Sequence, residues 1–101
     1  MGKDDEREGE EPVQIPIDGT LDLHLFRPRD VPEVLDAYLD ACREKGILHV
    51  RVVHGKGTGF QKRRVEELLA RDPRVRSFRP GGAGAGGWGA TLVDLEPLAG
   101  R

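Results

Sequence analysis

The sequence has little cysteine and no long apolar run. The single cysteine, Cys42, excludes a disulfide framework and a metal site built from cysteines of one chain. No stretch of apolar residues is long enough to cross a bilayer, and the N-terminus lacks the basic and then apolar pattern of a secretory signal. The 101 residues suffice for one small domain with a single modest core. We therefore expect a cytoplasmic protein without membrane partners.

Charge is distributed unevenly along the chain, although the net charge is only −2. Residues 1–11 carry six acidic residues against Lys3 and Arg7, and they contain too few apolar residues to pack. We predict a disordered acidic tail at 1–13, a folded domain at 14–97 and a C-terminal tail at 98–101. Within 43–79, eleven Lys or Arg residues stand against four acidic ones, a local charge of +7. This pattern favours a polyanion partner, and a solvated surface with a solubilising tail explains it equally well.

Hydrophobic periodicity predicts the element order β-α-β-α-β-β. The segment "TLDLH" alternates as a half-buried strand does, and "VQIPIDG" before it reads as an edge strand or an extended arm. A capping box at Asp30 and Glu33 opens a helix that runs up to Gly46. The other predicted elements are strands at 47–54, 75–79 and 90–96 and a helix at about 58–71. The fold class is α/β: a two-layer, mixed four-stranded sheet with two helices, whose first strands run parallel.

Two histidines end neighbouring strands of this predicted sheet. Parallel pairing brings His24 and His54 to the same carboxyl edge, where open α/β sheets bind their ligands. Because neighbouring strands lie about 4.8 Å apart, the two imidazoles could face one phosphate or one scissile bond. A surface or capping role is the alternative for each of them. His49, in the middle of a strand beside Arg51, is interpreted only as a surface residue.

The segment "VVHGKGTGF" (52–60) places three glycines, whose backbone N–H groups can approach an anion closely, around a lysine, as an anion-binding loop does. It is not a P-loop, because Val50 and Gly57 occupy positions that require glycine and Ser or Thr. The later glycines of "PGGAGAGGWG" formally match a dinucleotide-binding pattern, but that segment leads into a strand rather than a helix. A dedicated nucleotide site or a phosphatase-like site is therefore disfavoured.

Three spaced motifs resemble the small-MutS-related (Smr) domain family: "LDLH" (21–24), "HGKGTG" (54–59) and "GGWGATLVDL" (86–95). The resemblance covers roughly residues 18–97. It implies a stand-alone Smr protein that has the fold of the C-terminal domain of the third bacterial translation initiation factor and binds or cleaves DNA or RNA. The family usually has glycine after "LDLH", whereas this chain has Leu25, a departure that bears on how closely substrate approaches His24.

The resemblance assigns roles residue by residue. Asp22 and His24 match the family's catalytic pair and His54 begins its second motif, and the resemblance predicts all three to be catalytic. Lys56 and the surrounding backbone amides would stabilise phosphate charge, Trp88 would stack on bases, and the basic start of the second helix would follow the nucleic-acid backbone. The residues expected to bind phosphate or nucleic acid are Gly55, Lys56, Gly57, Thr58, Gly59, Lys62, Arg63, Arg64, Gly87, Trp88 and Gly89.

Each of these assignments has a structural alternative. Asp22 could instead pair with Arg51 on the neighbouring strand, Trp88 could close the end of the sheet as a core residue, and the basic residues of the second helix could simply be solvated. The sequence identifies no certain cofactor. A divalent metal held by Asp22 and His24 is a candidate, but two ligands from one strand make a weak site.

Taken together, the residues and the resemblance predict a nucleic-acid-binding protein that acts as an endonuclease or nicking enzyme. In the chemistry expected, the Asp22 carboxylate orients the His24 imidazole, which serves as general base or acid. A non-catalytic nucleic-acid-binding module, whose histidines only hold phosphate, is the alternative. The choice between DNA and RNA and the oligomeric state are left open.

Overall fold

The protein is described by a computed structural model that covers residues 15–55, 59–81 and 89–98. Its regular elements are four strands, two α-helices and two short 3₁₀ turns, the latter at Leu23–Leu25 and Pro28–Asp30. The strands are β1 (Thr20–Asp22), β2 (His49–Val53), β3 (Val75–Pro80) and β4 (Ala90–Leu95), and the helices are α1 (Val31–Glu44) and α2 (Phe60–Ala70). The predicted order β-α-β-α-β-β is confirmed.

The four strands form one mixed sheet in the order β1-β2-β4-β3. Strands β1 and β2 are parallel, with Asp22 opposite Val53, whereas β4 runs antiparallel to both β2 and β3. The last strand of the chain therefore lies inside the sheet, between the second and the third. This insertion brings the start of β4 next to the carboxyl ends of β1 and β2, where both predicted histidines lie.

The core lies between the sheet and the two helices. Strand residues Leu21, Val50, Val52, Val93 and Leu95 are buried together with the apolar stripes of both helices. The stripe of α1 follows helical spacing, as expected for one amphipathic face. Its buried members are Val31, Leu35, Tyr38, Leu39 and Cys42, and those of α2 are Val65 and Leu69.

Two tertiary contacts anchor α1 to the sheet and to the turn before β3. The buried Tyr38 hydroxyl accepts from the Gly19 backbone N–H at 3.1 Å and donates to the Thr20 carbonyl at 3.0 Å, which fixes the start of β1. The Arg74 guanidinium forms a forked pair with Asp72 and also reaches Asp36 at 2.7 Å. The hydrogen bonds from Arg74 lower the pKa of the Asp72 carboxyl.

Two local predictions differ from the structure. Strand β1 ends at Asp22, and Leu23–Leu25 turn as 3₁₀ helix instead of continuing the strand to His24. Asp30 makes no side-chain cap to α1, because it already has helical φ and ψ as the last residue of a 3₁₀ turn. Of the two forms predicted for the segment before β1, residues 15–19 do not form the edge strand. In the parts of the chain that the structure describes, no helix is both long and apolar enough to span a bilayer.

Candidate active site at the carboxyl edge of the sheet

The end of β1 forms an aspartate–histidine pair. Because the chain turns directly after Asp22, one carboxylate oxygen, Oδ1, accepts both the His24 backbone N–H at 2.9 Å and the ring nitrogen Nδ1 at 2.8 Å. A carboxylate only accepts, so the Nδ1 atom carries the proton and the Nε2 atom is the basic nitrogen of the neutral ring. The backbone bond, with a smaller contribution from the ring, lowers the pKa of Asp22 against the opposing effect of burial.

The ring of His24 lies against the backbone of Gly55, the first glycine of the "HGKGTG" loop. An ideal Cβ built on Gly55 would lie 2.7 Å from the Nε2 atom of His24 and 3.2 Å from its Cε1 atom. Gly55 also has φ +82°, a left-handed conformation that side chains rarely adopt. The absence of a side chain at position 55 thus lets the imidazole lie over the start of the loop, with 62% of the His24 side chain exposed.

His54 reaches the same edge, but the structure places its ring inside the protein. The residue is 5% exposed, and both ring nitrogens are engaged: Nδ1 with the Gly55 carbonyl at 2.9 Å and Nε2 with the Thr91 hydroxyl at 2.9 Å. The expectation that two imidazoles face one phosphate does not describe this arrangement. Only His24 presents its ring to solvent at this edge.

The main chain links the two glycine-containing loops. The backbone N–H groups of His54 and Gly55 both donate to the Gly89 carbonyl, at 2.8 and 2.9 Å. Gly89 belongs to the "GWG" motif and directly precedes β4. The motifs that are distant in the sequence are therefore joined at one point, directly beside the His24 ring.

The basic residues that open α2 have different environments. Lys62 pairs with Glu66 at 2.9 Å, one helical turn away, so its charge is partly compensated. Arg63 is exposed and Arg64 half-buried, and neither forms an ion pair within the described residues. Gly59, at φ +85°, forms the N-cap of the helix. The two arginines, rather than Lys62, are the cations available to a phosphate here.

Several predicted site residues lie outside the described residues. Lys56, Gly57 and Thr58 of the first loop are among them, as are Gly87 and Trp88 of the second. Their assigned roles remain predictions from the sequence.

A second histidine–aspartate pair provides an internal comparison. On the sheet face away from the helices, His49 and Asp94 meet at 2.8 Å, the same distance as between His24 and Asp22. Asp94 also accepts from Ser77 and Arg79, and the bond from His49 is the largest cause of its lowered pKa. Pairing alone therefore does not distinguish the candidate site. What distinguishes His24 is its position over the glycine loop.

Two sequence alternatives can be compared with these contacts. The Asp22 carboxylate bonds to His24 rather than to Arg51, contrary to the suggested ion pair across the strands. For the candidate metal, Asp22 and His24 bond to each other, and no group of three His, Cys, Asp or Glu residues suited to a metal occurs among residues 15–55, 59–81 and 89–98.

Sequence reasoning missed Thr91. This residue is fully buried, and its hydroxyl bonds to His54, yet in the sequence it appears only as one polar position in a β4 strand pattern. Its pairing partners in the sheet are Val52 and Pro80, so nothing local to Thr91 indicates a contact with a histidine 37 positions earlier. A polar residue on the inward side of a buried strand was the only available signal.

Comparison with known proteins assigns this arrangement to a family. The Smr domain family model matches residues 21–96. The chain is 43% identical over 76 residues to the endonuclease MutS2 of Halalkalibacterium halodurans, and 35% over 80 residues to that of Clostridium tetani. These matches cover 75% and 79% of this chain but only 10% of each relative, so the chain corresponds to about a tenth of their length.

Solved structures agree with the family match. The crystal structure of the Smr domain of Thermus thermophilus MutS2 superposes with a TM-score of 0.68 at 40% identity, covering 77% of this chain and 98% of that domain. The stand-alone small MutS-related protein YdaL from Escherichia coli, at 21% identity, shares the fold with a TM-score of 0.72 over 80% of this chain and 66% of its own. The chain therefore belongs to the Smr domain family, as its three motifs predict.

Proposed function

We propose that this chain cleaves phosphodiester bonds of nucleic acid, as an endonuclease or nicking enzyme. The observation that carries the proposal is the Asp22–His24 pair: an exposed imidazole whose Nδ1 atom is fixed by a carboxylate and whose Nε2 atom accepts no hydrogen bond within the described residues. This is the arrangement of a general base. The name of the MutS2 relatives, endonuclease, favours the same chemistry.

In the proposed reaction, the Nε2 atom of His24 takes the proton of the attacking oxygen, which comes from water or from a ribose 2′-hydroxyl. That oxygen bonds to phosphorus, the bond from phosphorus to the leaving oxygen breaks, and the leaving oxygen takes a proton from solvent. The ionised Asp22 carboxylate stabilises the imidazolium ion that forms. A positioned general base of this kind contributes about 10²–10⁴ to the rate.

The glycine loop supplies the anion-binding part of the site. Gly55 lies against the reacting imidazole, so a phosphate next to the Nε2 atom would also meet the start of this loop. The sequence places Lys56 immediately afterwards. Arg63 and Arg64, without ion-pair partners in the described chain, would contact neighbouring phosphates. Such contacts hold the strand without reading its sequence.

A non-catalytic binding module is the second candidate, and the environment of His54 favours it. Both ring nitrogens of His54 are bonded within the protein, so one imidazole rather than two is open to substrate. A single exposed histidine beside a glycine loop also suits a site that only holds phosphate.

Cleavage of supercoiled plasmid and of a structured RNA distinguishes the two candidates. His24→Ala should abolish cleavage and leave the dissociation constant for the same substrate nearly unchanged. His49→Ala is the matched control, because His49 forms the same 2.8 Å pair with an aspartate on a different face of the sheet. Binding without cleavage by the wild-type chain, or equal loss of cleavage in both variants, would contradict the enzyme proposal.

A further inference from the structure

A chain of three contacts connects the buried β4 strand to the exposed imidazole. The Thr91 hydroxyl meets the Nε2 atom of His54, and the Nδ1 atom of His54 meets the Gly55 carbonyl. The Gly55 backbone in turn lies so close to the ring of His24 that an ideal Cβ would be 2.7 Å from its Nε2 atom. Thr91 is fully buried and His54 nearly so. Buried polar groups in proteins normally have hydrogen-bond partners, and here the Thr91 hydroxyl and both ring nitrogens of His54 have one.

The direction of each hydrogen bond follows from the chemistry of the partners. A carbonyl oxygen only accepts, so the Nδ1 atom of His54 must carry a proton to meet Gly55. In the neutral ring the Nε2 atom then has a lone pair, and the Thr91 hydroxyl donates to it. The Gly55 carbonyl thus fixes the tautomer of His54, and the Thr91 hydroxyl, as donor to Nε2, holds the ring in the orientation that meets this carbonyl.

Holding this carbonyl matters because Gly55 is in a left-handed conformation at φ +82°. The backbone N–H of Gly55 is bonded to the Gly89 carbonyl, and its own carbonyl is bonded to His54. Both peptide groups that flank this residue are therefore fixed. The surface that the His24 ring rests on cannot rotate while these bonds are intact.

We propose that Thr91 is a positioning residue of the active site: through His54 it holds the Gly55 backbone that seats the His24 imidazole. This inference rests on the proposed function for its effect on catalysis, but not for its effect on the geometry of His24. It gives buried His54 a role as the link between β4 and the glycine loop. Neither Thr91 nor His54 contacts substrate in this scheme.

The test uses the full chain with Thr91→Val, which keeps the shape and removes the hydroxyl, and Thr91→Ser, which restores it. Val93→Ala is the matched control, because Val93 is a buried inward-facing residue of the same strand whose side chain cannot hydrogen-bond to His54. The first measurement is the NMR signal of the His24 Cε1–H group, assigned by its absence in His24→Ala. We expect Thr91→Val to shift this signal, and Thr91→Ser and Val93→Ala to retain it.

The second measurement is single-turnover cleavage at saturating plasmid. Misplacing a catalytic group by about 1 Å can cost roughly 100-fold, so we expect Thr91→Val to lower the rate about 10- to 100-fold with unchanged binding, and Thr91→Ser to recover it. An unaltered His24 signal in folded Thr91→Val, or an equal shift in Val93→Ala, would overturn the positioning role. Absence of cleavage in the wild-type chain would instead contradict the proposed function. The NMR signal of His24 would then decide by itself whether Thr91 positions the His24 ring.

A third measurement needs no variant and so does not depend on whether Thr91→Val folds. The ¹⁵N shifts of the wild-type His54 ring should show the tautomer with the proton on Nδ1 at neutral pH. The opposite tautomer, with the proton on Nε2, would exclude the hydrogen-bond directions on which the proposal stands.

Discussion

Replacing Gly55 by alanine perturbs the backbone and the imidazole of His24 together. The new Cβ would lie 2.7 Å from the Nε2 atom of His24, closer than such contacts occur, and the residue would have to keep φ +82°. Because the His24 side chain is exposed, its ring can rotate away, but it then gives up the 2.8 Å bond to Asp22. The substitution therefore removes the orientation of the proposed general base.

The cost in stability can be separated from the cost in activity. A left-handed alanine is disfavoured by roughly 1–2 kcal/mol in the folded state. Because alanine has less conformational freedom than glycine in the unfolded chain, about 0.4–1 kcal/mol of this loss is offset. The expected net loss is about 1 kcal/mol, or roughly 4–8 °C in the melting temperature of a domain this size. Cleavage should fall much further, by about 10²–10⁴, the usual contribution of a general base.

One other glycine of this chain is a matched control. Gly46 has φ +79°, and a Cβ built on it meets nothing within 4 Å. We expect Gly46→Ala to lose similar stability to Gly55→Ala in thermal unfolding, without its loss of cleavage at a temperature where both are folded. Equal cleavage by Gly55→Ala and Gly46→Ala would refute the argument that an empty position 55 seats the His24 ring.

Three further predictions concern binding, folding and pH. Lys56→Ala should weaken binding to all nucleic-acid sequences alike, because a phosphate contact carries no base information. Measured by fluorescence anisotropy, the slope of log affinity against log salt concentration should become shallower by about 1, and an unchanged slope would exclude a phosphate contact by Lys56. Arg74→Met should lower the free energy of unfolding, measured with denaturant, by about 2–3 kcal/mol, because it leaves the partly buried Asp72 carboxylate without its forked partner. A decrease below 0.5 kcal/mol, about the lower limit for one hydrogen bond, would show that solvent replaces the pair. Because Arg74 lowers the pKa of Asp72 in the folded state, the ionised Asp72 stabilises the protein above the ordinary aspartate pKa of about 3.9, and this stabilisation is lost as pH falls through the lower folded pKa. Asp72→Asn should therefore reduce the loss of unfolding free energy at acidic pH, and the same loss as in the wild-type chain would contradict this role of Asp72.

Local patterns were sufficient for the element order. The apolar spacing of α1 and the β-branched run of β2 give the same elements in the sequence and in the structure, because each reflects which face is buried. Local reasoning was wrong where neighbouring turns compete with the pattern. Asp30 looks like a helix cap but belongs to a 3₁₀ turn, and Asp22 turns the chain toward His24 by accepting its backbone N–H.

The sequence by itself determined the fold class, the family and the arrival of Asp22, His24 and the glycine loop at one edge. These follow from periodicity, from parallel pairing of β1 with β2 and from three motifs that are specific in combination. Only the tertiary structure decided which of these two histidines is exposed to solvent. Insertion of β4 beside β2 brings Thr91 to the ring of His54 and Gly89 to its backbone, so this histidine is buried and bonded. Contacts between residues 37 positions apart depend on strand order, and no local pattern encodes that order.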